Sequence, residues 1–165
     1  MIEPHPLYIP APYQDSAEFG RVILKDGSTA TVRVATVNDA AALVEFFHQL
    51  SPASRQQRFF SLTEPTPELV RSLCDSTNPR GQLTLVITRS SDHEGVIVAA
   101  GSYIGRDDKS AEVAFAVDDE FQGKGLGANL LERLALLAAR VGFTRFWAVT
   151  QLENRGMIEV FRHSG

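Results

Sequence analysis

Cysteine is nearly absent from this 165-residue chain, which holds Cys74 alone. One thiol closes no internal disulfide and builds no cysteine zinc site, so a disulfide scaffold and a zinc ribbon are both excluded. Positive charge is not in excess either. Lys and Arg total 16 against 20 Asp and Glu, a formal net charge of -4, whereas a general nucleic-acid binder usually carries a basic surplus. Long hydrophobic runs are missing too, and none approaches the roughly 18 residues that cross a bilayer. The opening MIEPHPLYIPAPYQ lacks the basic start and apolar stretch of a signal peptide. No nucleic acid and no membrane are therefore expected as partners, and the expected compartment is the cytoplasm. His48, His93 and His163 have no metal-like spacing, so no metal is expected. The remainder is ordinary: 44% hydrophobic and 22% charged, in a chain long enough for one domain with a real core.

Residues 1–19 hold Pro4, Pro6, Pro10 and Pro12, with Tyr8 and Tyr13 between them. Such density favours extended chain and reads as a tail or linker, or as an arm that docks through its tyrosines. The domain is expected to cover residues 20–165. Val22–Leu24 and Thr31–Val34 are β-rich runs around Asp26-Gly27, a hairpin turn signal. Thr36 and Asp39 resemble a capping box before Leu43, Phe46, Phe47 and Leu50 at helical spacing. Ser51-Pro52 and Thr66-Pro67 each pair a cap with a proline at the first helical position. They predict helices through about Phe60 and over Glu68–Leu73. Leu83–Thr88, Val96–Ile104 and Ala111–Val117 follow as strands with short polar loops. A helix over Gly125–Arg140, a strand over Arg145–Thr150 and a last helix over Arg155–His163 complete the pattern. This order suggests a mixed sheet with helices on its faces.

The informative stretch is AEVAFAVDDEFQGKGLG, Ala111–Gly127. A strand leads through an acidic loop to glycines at a helix start. There the backbone amides lack partners and carry partial positive charge, so the stretch suits a phosphate or pyrophosphate. A Walker A loop is excluded, because glycine follows Lys124 where serine or threonine is required. The dinucleotide pattern G-x-G-x-x-G/A does match Gly123–Ala128. However, Asp118–Phe121 separate it from the strand, and the later acid that would hold a ribose is missing. A glycine-rich helix entry without ligand also stays open. The third pattern is Gln/Arg-x-x-Gly-x-Gly/Ala, met by Gln122, Gly125 and Gly127.

At these residues, and over about residues 20–165, the sequence resembles the GNAT superfamily of acyl-CoA-dependent N-acyltransferases. SPASRQQRFF, Ser51–Phe60, also resembles the bacterial protein lysine acetyltransferases of that superfamily. The resemblance implies an α/β (α+β) fold of GNAT type. Its central sheet is mixed and mostly antiparallel, with helices on both faces. It implies acetyl-CoA as acyl donor, with no metal. Phe115, Ala116 and Val117 would pair with the pantetheine arm. Gln122, Gly123, Lys124, Gly125, Leu126, Gly127 and Ala128 would hold the pyrophosphate, and Asn154 would touch the CoA arm while capping the last helix. The implied acceptor is a protein lysine, with an acyl-CoA synthetase as the protein partner that the subfamily suggests.

Acyl transfer needs a neutral amine, while a free lysine has a pKa of about 10.4, so a base must remove a proton directly or through water. Glu112 is the candidate, and the resemblance places a catalytic glutamate there. By strand alternation Glu112, Ala114 and Ala116 share one small face, while Val113, Phe115 and Val117 point into a core. Apolar neighbours would make the carboxylate a stronger base, and a bulge would change the parity. A solvent-exposed glutamate at a strand start is the plainer alternative. Asp118, Asp119 and Glu120 read as a solvated turn. A backbone N–H near Ala116 or Val117 would support the oxyanion, by family analogy. Many members place a proton-donating tyrosine seven residues after the asparagine. Here that position is Phe161, which has no proton to give. Tyr103 is a substitute, or simply a half-buried strand tyrosine, and Cys74 reads as a buried thiol.

The chain stops at Gly165, where the superfamily normally continues with a phenylalanine and two more strands. The expectation is accordingly a sheet lacking those strands, in a piece of a larger chain or with an edge supplied by an oligomer. A small-amine acetyltransferase, a non-catalytic acyl-CoA sensor and an NAD-binding module are the alternatives.

Overall fold

The computed structural model describes residues 16–24, 26–59, 65–89, 95–123, 125–148 and 155–163. Two strands, β1 (Phe19–Ile23) and β2 (Thr29–Val34), form the expected hairpin around Asp26-Gly27. Three helices follow: α1 (Ala40–Gln49), α2 (Pro52–Phe59) and α3 (Pro67–Leu73). Each starts as its local chemistry dictates. A 3-10 turn, Val37–Asp39, precedes α1, and the Asp39 carboxylate accepts from the Thr36 amide at 2.8 Å. The Ser54 amide donates to Ser51 Oγ at 3.2 Å, and the Leu69 amide donates to Thr66 Oγ1 at 3.2 Å. These are side-chain caps on amides that the helix itself cannot satisfy.

A meander of β3 (Gln82–Arg89), β4 (Val96–Gly105) and β5 (Ser110–Val117) follows, then α4 (Leu126–Arg140), β6 (Arg145–Trp147) and α5 (Arg155–His163). The six strands lie in sequence order across one sheet. Every pairing is antiparallel except β5 with β6, which is parallel. The exception has a simple cause: α4 carries the chain back across the sheet, and a parallel pair needs such a crossover. The strand β6 is shorter than expected, ending at Trp147, and residues 149–150 of the expected strand lie outside the described residues.

The sheet separates two cores. On one face Val113 and Phe115 pack with Leu85, Tyr103 and the α4 residues Leu126, Leu130, Leu134 and Leu137. On the other, Ala116, Ala100 and Val86 pack with Leu43, Phe46 and Phe47 of α1 and with Val70 and Leu73 of α3. Cys74 belongs to this second core at 1% exposure, a buried thiol as expected. β5 therefore divides its side chains by parity, as the alternation predicts. Its register with β4 runs unbroken from Ala99↔Val117 to Gly105↔Ala111, so no bulge disturbs the parity.

Candidate active site

The C-terminal half of β5 and the start of α4 form one wall of an open cleft of about 170 Å³. It is lined by Phe115, Ala116, Val117, Gln122, Gly123, Gly125, Leu126, Gly127 and Ala128. The fold thus brings together every sequence-predicted donor-binding residue that is described. Lys124 and Asn154 lie outside the described residues.

The strand edge and the turn each offer backbone. β6 pairs with β5 only over Ser110, Ala111 and Glu112. Beyond that point no described strand covers this edge of β5, where Phe115–Val117 line the cleft. In the turn, Gly123 and Gly125 have φ of +72° and +81°. This region disfavours any residue with a Cβ. A Cβ added at either would meet no described atom within 4 Å beyond the adjoining residues, so among the described residues the turn has open space in front of it. Gly127 works differently. A Cβ there would fall 2.9 Å from the Phe115 ring, so glycine lets the first turn of α4 rest on β5. The first amides of α4 have no carbonyl partner within the helix and form the positive end of its dipole. Together these features fit an anionic group such as a pyrophosphate.

None of the three acids in the loop lines the cleft. Asp118 caps the 3-10 turn Asp119–Phe121 by accepting from the Glu120 amide at 2.9 Å. Asp119 is exposed, as expected of a polar loop, but its carboxylate is also bonded across the fold. It accepts from the Ser51 amide at 3.0 Å, the Ser51 hydroxyl at 2.9 Å and the Ser54 hydroxyl at 2.7 Å. Burial opposes its charge, but the bonds from Ser51 and Ser54 prevail and hold the carboxyl below its ordinary range. Gln122 Nε2 donates to Ser54 Oγ and to the Val117 carbonyl, both at 3.0 Å.

Glu112 sits three residues before Phe115 on the same strand, about 10 Å away at the usual strand rise. It shares its face with Ala114 and Ala116, and its cross-strand neighbours are Ile104 and Trp147. Those two are 46% and 56% exposed, and Glu112 is half-buried between them. The apolar surround expected for Glu112 is only partly present, because its carboxylate forms an ion pair with Arg106. The β4–β5 turn causes this: the Arg106 amide donates to the Ser110 carbonyl at 2.9 Å, folding the arginine back over β5.

Phe161 packs its ring 6.0 Å from that of Phe115, centroid to centroid, and supplies no acid. Tyr103 is fully buried and donates to the Pro79 carbonyl at 2.7 Å, so its hydroxyl already has a structural partner. Sequence reasoning missed Ser54, Phe121, Gly156 and Val160, which also line the cleft. Ser54 lies inside the Ser51–Arg55 phrase, yet its place as the third residue of α2 gave no hint of the cleft. Among the described residues no group of His, Cys, Asp or Glu is arranged to hold a metal, and no helix is long and apolar enough to cross a membrane.

Comparison with known proteins agrees with this geometry. The family model described as Acetyltransferase (GNAT) family matches residues 43–165. The chain is 30% identical over 136 residues to Acetyltransferase PA5475 of Pseudomonas aeruginosa, covering 81% of this chain and 73% of that protein. The GNAT domain of S. lividans PAT superposes with a TM-score of 0.76 at 33% identity, covering 96% of this chain and 90% of that one. A GNAT superfamily phosphinothricin acetyltransferase from Sinorhizobium meliloti, solved in complex with AcCoA, shares the fold. Its TM-score is 0.66 at 20% identity, over 82% of this chain and 74% of that one. A mixed sheet with a glycine turn at the strand-to-helix junction thus defines an acyl-CoA-dependent N-acetyltransferase. The chain belongs to the GNAT acetyltransferase family.

Proposed function

We propose that this enzyme moves an acetyl group from acetyl-CoA to the side-chain amine of a protein lysine, with Glu112 as general base. The observation that carries the reading is the arrangement along β5. The edge at Phe115–Val117, which no described strand covers, and the glycine turn lie at one end of the strand, and Glu112 lies at the other. The turn amides and the α4 N-terminus would hold the donor's pyrophosphate. Its pantetheine arm would run along β5 toward Glu112, pairing with the strand backbone. Lys124 and Asn154 are assigned to the donor by their place in the motif.

The lysine ammonium would enter between Ile104 and Trp147, apolar side chains suited to its methylene stem, and displace Arg106 from Glu112. Glu112 takes one proton, directly or through a water. The neutral nitrogen attacks the thioester carbon, and a backbone N–H near Ala116 or Val117 supports the oxyanion. That attack forms the N–C bond and moves the carbonyl pair onto oxygen; collapse restores the C=O bond and breaks the C–S bond. The electron pair leaves on sulfur, one of the two protons left on nitrogen passes to solvent or to the thiolate, and the other stays as the amide N–H. Phe161 donates nothing, so the thiolate leaves without a phenolic acid from that position.

Similarity to the GNAT domain of S. lividans PAT and the Ser51–Phe60 phrase support a protein acceptor. The fold shared with a phosphinothricin acetyltransferase favours a small amine as the second reading. The test is CoA release with acetyl-CoA and a panel of lysine peptides and small amines. Glu112→Gln should lower kcat about a hundredfold or more, the usual contribution of a general base. Unchanged turnover removes Glu112 from the role, and turnover of small amines alone replaces the acceptor.

A further inference from the structure

Among the described residues, nothing beyond the adjoining ones lies within 4 Å of a Cβ added at Gly123 or Gly125. The loop that leads into the turn is tied to α2 and to Ser51 just before it, and Ser51 lies 68 residues before Asp119 in the chain. Asp119 gathers three donors from the first turn of α2, and Gln122 reaches back to Ser54 Oγ and to the Val117 carbonyl. Ser54 is the shared node. Its hydroxyl donates to Asp119 and accepts from Gln122, it is 8% exposed, and it forms part of the cleft wall. A continuous chain of hydrogen bonds therefore joins the start of α2, both ends of the loop before the turn, and the end of β5.

We propose that Ser54 is a positioning residue for the acyl donor, latching α2 to the pyrophosphate turn through Asp119 and Gln122 so that donor binding and α2 docking are coupled. The inference rests on the donor-cleft reading above. A turn already held in its binding geometry loses less freedom when the anion arrives, which favours binding. Coupling is reciprocal, so if the latch aids donor binding, the donor must stabilise the latch by the same factor. Asp119 assists from the other side, because a carboxylate at the N-terminus of α2 complements that helix's dipole.

Hydrogen exchange on the native chain reads the coupling without any variant. Saturating acetyl-CoA should slow exchange at the Arg55 and Gln56 amides as well as over residues 123–128. In steady-state assays Ser54→Ala should raise KM for acetyl-CoA about tenfold with kcat nearly unchanged, a coupling of ordinary size. Ser54→Thr, which keeps the hydroxyl, should restore KM. A KM for Ser54→Ala within about twofold of native, a fall in kcat alone, or no slowing in α2 while residues 123–128 are protected overturns the latch and leaves the cleft assignment standing. If acetyl-CoA protects neither segment of the native chain, the cleft assignment itself falls and the latch falls with it. Should Ser54→Ala fail to fold, the exchange result on the native chain decides.

Discussion

Gly125 and Gly127 stand two residues apart in one turn, yet the structure requires glycine at each for a different reason, and the two can be separated by alanine substitution. Gly125 has a φ of +81° and, among the described residues, nothing beyond its neighbours within 4 Å of an added Cβ. Gly125→Ala therefore suffers backbone strain without a clash. The left-handed conformation costs an L-residue roughly 1–2 kcal/mol, partly offset by the lower entropy of an unfolded alanine. A net stability loss of about 1 kcal/mol is expected. Gly127 carries no such φ, but its Cβ would fall 2.9 Å from Phe115 Cε2. Gly127→Ala must shift the ring or the helix, and overpacking of this kind costs about 1–3 kcal/mol. Affinity should order them the other way. The methyl that Gly125→Ala adds would occupy the open space that a bound phosphate needs, so acetyl-CoA binding should weaken by more than about tenfold, or 1.4 kcal/mol. Gly127→Ala acts only through the displaced ring and should weaken binding less. Urea unfolding gives the stabilities, and calorimetric titration with acetyl-CoA gives the affinities. If Gly125→Ala binds as native while Gly127→Ala does not, the turn backbone is not the anion cradle.

Three further outcomes follow from single contacts. In the proposed mechanism Arg106 must leave Glu112 before an acceptor amine can reach it, and a pair this exposed is worth at most about 1 kcal/mol. Arg106→Gln should therefore lower the acceptor KM by about two- to fivefold, and a raised KM would show that Arg106 recruits the acceptor instead. Asp39 is held below its ordinary value of 3.8, chiefly by hydrogen bonds from Arg33 at 2.7 Å, which outweigh its burial, and then by the Thr36 amide. A carboxyl lowered in the folded state contributes stability that is present above its unfolded value and lost as pH falls through the folded one. Urea midpoints of the native chain should therefore drop below about pH 4. Arg33→Gln should be less stable at neutral pH and lose less on acidification, and parallel pH curves would refute the pairing. Burial, followed by the charge of Asp39, pushes the Cys74 thiol up to about 11. Iodoacetamide at pH 8 should label it only when urea unfolds the chain, and prompt labelling of the native protein would contradict its burial.

Much of this molecule was readable from neighbouring residues. The caps at Ser51 and Thr66, the glycine at the positive-φ turn of α4, the leucine stripe of that helix and the parity of β5 all depend on rules that act within a few residues: steric limits on φ, unpaired terminal amides, and periods of 3.6 and 2. The cleft wall at Phe115–Ala128 was legible for the same reason, because it lies in one continuous stretch. The partners of those residues were not. Arg106 on Glu112, Asp119 on Ser51 and Ser54, and Gly127 under the Phe115 ring are contacts through space. Asp119 shows the difference most plainly. In sequence it is one of three adjacent acids in a polar loop, and only packing α2 against β5 places three donors around its carboxylate. Local chemistry determined what each segment would be. Burying the two faces of the sheet decided which side chains from distant segments meet, because that choice depends on the summed packing of whole elements and not on any short pattern.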